Sequence, residues 1–210
     1  MFGIDNYATF VLAGILLNIT PGADTLYILT RSIGQGRSAG IISVCGIGTG
    51  ALFHIGFAAV GLSVILTSSA TAYALVRYVG AAYLLYMGIG ALRQKASSFE
   101  IADQTPCKRG SLLKVYYQGF LTNLLNPKVA LFFLSFLPQF VSPHHEYGPL
   151  PFLILGFTFL TTGSIWCLFL ALAASSMTRS LRRNKRLGRW LQKGCGVVFL
   201  GLGLRVALKD

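Results

Sequence analysis

The chain has 210 residues, 54% of them hydrophobic and 11% charged, with a mean hydropathy of +0.64. Soluble domains cover themselves with roughly 25% charged residues, so this composition excludes a water-exposed globule and assigns the chain to lipid. A net charge of +12 raises a nucleic-acid role, which the placement of the basic residues then rejects.

A membrane span needs about 20 mainly apolar residues. Taken in order, five runs meet that length: Tyr7–Thr30, Ile41–Thr67, Ala72–Leu92, Val115–Phe140 and Pro151–Ser176. A sixth, Gly194–Ala207, has 14 residues, about 21 Å of helix. It reaches full length when Leu187–Lys193 joins it, with Arg189 and Lys193 snorkelling to the interface. No Lys or Arg precedes the first run, so it is expected to be retained and not cleaved as a secretory signal.

The loops alternate in charge. Segments 31–40, 93–114 and 177–193 carry 14 of the 18 basic residues, whereas the N-terminus and loops 68–71 and 141–150 carry none. The positive-inside rule makes the three basic segments cytoplasmic and both termini periplasmic. The charge therefore reads as orientation with some contact to anionic lipid, not as a phosphate-binding face.

Two similarities divide the chain. Leu85-Tyr86-Met87-Gly88-Ile89-Gly90 resembles Val198-Phe199-Leu200-Gly201-Leu202-Gly203, and Asn18-Ile19-Thr20-Pro21-Gly22 resembles Asn123-Leu124-Leu125-Asn126-Pro127-Lys128. The implied organisation is a single membrane domain, 1–210: a first three-helix repeat, 1–92, a basic loop, 93–114, and a second repeat, 115–210. Three spans per half force the halves into opposite orientation, the inverted-repeat plan of many secondary transporters, with a site at the midplane. The expected fold is an all-α integral membrane protein of six transmembrane helices, with helices 1 and 4 broken.

The breaks carry the chemistry. Proline removes a backbone donor and clashes with the preceding turn. After the first break Thr20 reads as an N-cap, Pro21 as the first helical position, and Asp24 as a first-turn residue. After the second, Asn126 reads as the cap, Pro127 as the first position, and Lys128 follows. A single such break is more often a tolerated kink, but two at matching positions favour a site. Each exposes amides and the positive end of a half-helix, which suits a carboxylate.

Asp24 and Lys128 are strongly ionisable residues well inside apolar runs. A charge at the bilayer centre costs about 2.5–3.5 kcal/mol on insertion scales, so such residues usually face a cavity or a partner. Asp24 is also a candidate proton carrier. Lys128 either contacts a substrate carboxylate or pairs with Asp24. Asn18 and Asn123 line the same cavity or bond between helices, and His54 is a weaker proton-coupling candidate.

Gly46-Ile47-Gly48-Thr49-Gly50 lies inside an apolar run with no preceding strand, so it reads as close helix contact and not a nucleotide loop. Cys45, Cys107, Cys167 and Cys195 form no CxxC, and His144-His145 lacks further ligands, so neither a metal site nor a cofactor is expected. HExxH and GxSxG are absent, which argues against an enzyme.

Gly119-Phe120-Leu121-Thr122-Asn123-Leu124-Leu125-Asn126-Pro127-Lys128, with Leu131-Phe132-Phe133 and Phe136-Leu137-Pro138-Gln139-Phe140, resembles the signature of the LysE/RhtB amino-acid exporter family. The resemblance extends to Thr20-Pro21-Gly22-Ala23-Asp24-Thr25-Leu26, Gly36-Arg37-Ser38-Ala39-Gly40, the glycine run at 46–50 and Ala81–Gly88. Where that family usually has Pro-Gly-Pro at the first break, this chain has Ala23. The resemblance implies export of amino acids from the bacterial cytoplasm through the inner membrane, driven by protons, without fixing the amino acid. A homo-oligomer stays open. A membrane thiol-redox carrier is disfavoured because Gly22 and Lys128 stand where cysteines would be needed, and a passive channel would need neither matched breaks nor buried charges.

Overall fold

A computed structural model describes residues 2–68, 111–142 and 146–174, with isolated positions between 71 and 93 and between 193 and 204. The expected third and sixth spans, most of the basic segments 93–114 and 177–193, Cys107, Cys195 and His144-His145 lie outside the described residues. The inverted pairing of two three-helix halves falls with them.

Among the described residues every named element is a helix. The helices are α1 (Tyr7–Ile19), α2 (Ala23–Gln35), α3 (Arg37–Ser68), α4 (Leu112–Leu124), α5 (Pro127–Phe136), a 3-10 turn η1 (Leu137–Phe140) and α6 (Leu150–Ala174). Two are long and apolar enough to cross a membrane, Arg37–Val64 with 28 residues and Leu150–Ala174 with 25. Two further spans arise if each broken pair is counted as one: α1 with α2, bent by 50°, and α4 with the α5–η1 segment, bent by 48°.

Proline fixes both bends, by different local means. Pro21 has no N–H and pushes its predecessor out of the helical region; Thr20 accordingly sits at φ −63°, ψ 120°. Thr20 turns back on α1, its N–H bonding to Leu16 and Leu17 carbonyls and its hydroxyl donating to Leu16 O at 2.8 Å. Thr20 is thus the C-cap of α1 and not the N-cap of α2. Gly22 holds that second position, without a capping side chain. The second break follows the expected grammar. Asn126 is the N-cap, its side chain accepts from Lys128 N at 3.0 Å, and Pro127 opens α5.

The expected 31–40 loop shrinks to one residue. Gly36 lies at φ 90°, a conformation that L side chains avoid, and it turns the chain directly from α2 into α3.

Lipid supplies no hydrophobic drive between helices, so packing depends on close contact. The glycine run on α3 provides it. A methyl at Gly46 would run into the Tyr116 carbonyl, one at Gly50 would lie 2.9 Å from Asn123 Cβ and Phe120 O, and on α4 one at Gly119 would lie 2.9 Å from Ser43 O. At one end of the bundle Phe10, Phe132, Phe136, Phe140 and Phe159 interlock, with ring centroids 4.5–6.4 Å apart. Each such pair contributes about 0.5–1.5 kcal/mol beyond its buried area. The N-terminal segment straps this end through an Ile4–Val141 bridge and a Ser142 N–H to Gly3 O bond of 2.9 Å. At the opposite end Ile28, Val44, Ile47 and Ala171 form a smaller core. Large apolar side chains such as Leu12, Phe57, Val60 and Ile165 point outward, 63–69% exposed, the inside-out distribution of a chain surrounded by hydrocarbon.

Gly46→Ala is expected to lower the unfolding midpoint in detergent by the equivalent of about 1–3 kcal/mol, the usual cost of overpacking. Gly61→Ala, where a methyl meets open space, should leave it nearly unchanged. Thermal unfolding of the two purified variants decides this, and equal midpoints would contradict the packing account.

Candidate functional site

The two breaks face one another across a cavity of about 70 Å³. Of the nine residues named from the sequence as a binding set, Asn18, Thr20, Gly22, Asp24, Asn123, Asn126 and Lys128 line it; Pro21 and Pro127 shape the backbone without reaching it. The cavity is less than half the roughly 150 Å³ that admits benzene in an apolar core. A side chain of leucine size enters only when its walls part.

Asp24 lies in the first turn of α2. Its Oδ2 accepts a 2.8 Å bond from Asn123 Nδ2 on α4, the orientation that an amide must take toward an acceptor-only carboxylate. Its Oδ1 is buried without a hydrogen-bond partner among the described residues. Asn126 lies beside the same carboxyl, and Lys128 acts on it electrostatically. Lys128 Nζ donates to Leu17 O at 3.1 Å and to Thr20 O at 2.9 Å, so its ammonium is seated on the end of α1.

His54 is 9% exposed and its Nε2 lies 3.2 Å from Asn123 O, with the ring stacked on Phe133. It supports the turn of the second break from behind and does not line the cavity. Asn18 does both things that the sequence left open. It lines the cavity, and its Nδ2 reaches Phe159 O and Thr162 Oγ1 on α6 at 3.4 and 3.3 Å. Gly163 makes room for it, since a methyl there would lie 2.9 Å from Asn18 Oδ1.

The sequence reading missed the apolar walls. Val44, Ile47 and Ala51 of α3, and Phe159, Leu160 and Cys167 of α6, complete the cavity. Gly48 within the glycine run and Gly163-Ser164 in the fifth apolar run were the available signals, being small residues in otherwise bulky helices. Cys167, remote from both breaks in sequence, is brought to the cavity by α6. Among the described residues no second thiol joins it, since Cys45 faces outward.

At the end of the bundle opposite the aromatic cluster, α2 and α4 are fastened by polar contacts. Tyr27 OH donates to Val115 O at 2.7 Å, Arg31 donates to Gln118 Oε1, and the Arg31 guanidinium lies 5.2 Å over the Tyr27 ring.

A protein-family model described as LysE type translocator matches residues 15–210. The chain belongs to this family. Similar proteins match over nearly their whole length. An uncharacterized membrane protein of Pseudomonas aeruginosa is 30% identical over 207 residues, covering 98% of this chain and 96% of that protein. A leucine efflux protein of Salmonella typhimurium is 29% identical with the same coverage. An uncharacterized membrane protein of Bacillus subtilis is 30% identical over 206 residues, covering 95% and 97% of the two chains. No solved structure matches significantly. Membership makes this LysE-type chain a membrane translocator and not an enzyme.

In this translocator the Asn126 cap is the cheapest part of the site to probe. Asn126→Ala should cost about 1 kcal/mol of stability through loss of the bond to Lys128 N, while Asn126→Ser, which restores a capping oxygen, should recover most of it. Chemical or thermal unfolding in detergent measures both; a serine variant no better than alanine would remove the capping role.

Proposed function

We propose that this translocator exports amino acids, or closely similar small zwitterions, from the bacterial cytoplasm across the inner membrane in exchange for protons. The carrying observation is the Asp24 carboxyl, with one oxygen held by Asn123 and the other buried in the cavity beside Asn126 with no hydrogen-bond partner among the described residues. That second oxygen takes either the ammonium group of a substrate or a proton, and not both. Exclusive occupancy of one acceptor couples the two flows without further machinery. Substrate loads on the ionised carboxyl from the cytoplasm, a proton arriving from outside displaces it, and loss of that proton to the cytoplasm resets the site.

The substrate carboxylate goes to the first turn of α2, where Gly22 brings no capping side chain to compete for the amides. The Lys128 ammonium, lying over Gly22, adds positive charge there. The apolar walls from α3 and α6 surround the rest of the molecule, in keeping with a relative named for leucine efflux. The basic end of the bundle, with Arg31, Arg37 and Lys114, faces the cytoplasm by the positive-inside rule. The termini of the chain then face the periplasm.

The test is counterflow in proteoliposomes against a panel of amino acids, followed by export under an imposed pH gradient, acid on the receiving side. Wild-type transport should rise with the gradient. Asp24→Asn cannot release a proton and should lose that rise; with the ammonium bond weakened, substrate affinity should fall by about 10- to 100-fold, the worth of a charge-assisted hydrogen bond. Full gradient-driven transport by Asp24→Asn would eliminate the coupling role. Wild-type flux indifferent to the gradient would indicate a passive pore.

A further inference from the structure

The first break leaves the last carbonyls of α1 without their helical donors. In an unbroken helix Leu17 O would accept from the N–H four residues later, and that residue is Pro21, which has none; it keeps the Thr20 N–H, at 3.2 Å. Thr20 O lies in the break itself, beyond the last residue of α1. Lipid offers no donor in place of the missing N–H. Lys128 Nζ donates to Leu17 O at 3.1 Å and to Thr20 O at 2.9 Å.

Nothing on its own helix recommends this placement for a cation. Lys128 is the second residue of α5, and the N-terminal end of a helix repels positive charge. The attraction comes from the other break, where the C-terminal end of α1 presents its carbonyls. The lysine stem reaches them across Gly22: a Cβ there would sit 3.6 Å from both Lys128 Cδ and Nζ. Gly22 and Lys128 each follow the proline of their break, so one half contributes the empty position and the other the side chain that fills it. Unwound carbonyls at the end of a half-helix in mid-membrane are the ligand type that elsewhere coordinates a free coupling cation.

We infer that Lys128 is a tethered cation, occupying a carbonyl site on the end of α1 that would otherwise take a free monovalent cation, and that it thereby holds the α1–α2 break in its bent, substrate-binding form. Lys128 is on this account a positioning residue. Its transport consequence rests on the exporter reading above; its binding consequence does not.

Lys128→Ala deletes a propylammonium-sized piece of side chain, so propylammonium is the probe, sodium the second cation, and choline, which has no N–H, the ionic-strength control. Thermal unfolding in detergent should show the midpoint of Lys128→Ala rising by several degrees with millimolar propylammonium or sodium but not choline, with no such response in the wild type. In proteoliposomes Lys128→Ala should transport at least about tenfold more slowly, and propylammonium on both sides should restore several-fold of the loss. A Lys128→Ala protein that folds only in the presence of the amine supports the inference equally. If it folds under no condition, Lys128→Arg decides: it brings a cation to the same carbonyls and must fold and transport, and an arginine variant as defective as alanine overturns the inference. So does a folded alanine variant whose midpoint and flux respond no more to propylammonium or sodium than to choline, or one that transports at the wild-type rate unaided. A wild type inactive on every amino acid would defeat the exporter reading while leaving the unfolding result to judge this one.

Discussion

A backbone carbonyl or amide inside a bilayer has no water to turn to, and each one left unpaired costs several kcal/mol. The proline after each break, Pro21 and Pro127, creates that problem, and most of the site follows from how it is solved. The second break solves it locally, with the Asn126 side chain on the Lys128 amide and the Asn123 carbonyl accepting from Asn126 N. The first does not. Thr20 covers Leu16 O and reaches Leu17 O, but Thr20 O, and Leu17 O a second time, are met by a side chain from the other half of the chain. The two breaks are therefore not independent kinks. One completes the other, and the Asp24–Asn123 bond joins them again in the wall of the same cavity.

The surroundings keep this junction small while leaving it a way to open. At one end, interlocked phenylalanines and the N-terminal strap close the bundle with many weak contacts. At the other, a few side-chain hydrogen bonds and one cation–π contact fasten α2 to α4. Between them the cavity of about 70 Å³ is too small for a bulky side chain, so on the proposed export cycle loading would require one closure to part while the other holds. Glycine contacts along α3 and α4 bring backbones too close to slide independently. Motion then falls to the broken helices, whose bends already lack a continuous hydrogen-bond ladder.

Much of this was legible in the sequence, for identifiable reasons. The apolar runs and prolines are strong signals in lipid, where composition and backbone satisfaction leave few alternatives. Four of the six expected spans coincide with the two long helices and two bent pairs, and both breaks fall where Pro21 and Pro127 put them. The second cap was readable because an Asn-Pro start has one economical geometry. The first was misread because Thr20 had two partners within reach, and its choice of Leu16 over the α2 amides depends on Pro21 blocking the forward direction. The destination of Lys128 was not readable at all. Sequence suggested a substrate carboxylate or Asp24; the Leu17 and Thr20 carbonyls at the end of α1 are acceptors that no residue-type pattern displays. The walls from α3 and α6 were invisible for a related reason, since apolar residues in an apolar helix do not announce which face is internal.

The central claim is that the two breaks form one coupled unit, and a double-mutant cycle between Asp24 and Asn123 measures it most directly. Unfolding free energies of the wild type, Asp24→Ala, Asn123→Ala and the double variant, determined in the same detergent, give the coupling. The account predicts about 1.5–3 kcal/mol, the range for a hydrogen bond to a charged group. Additivity within about 0.5 kcal/mol would mean that the broken helices only happen to lie side by side.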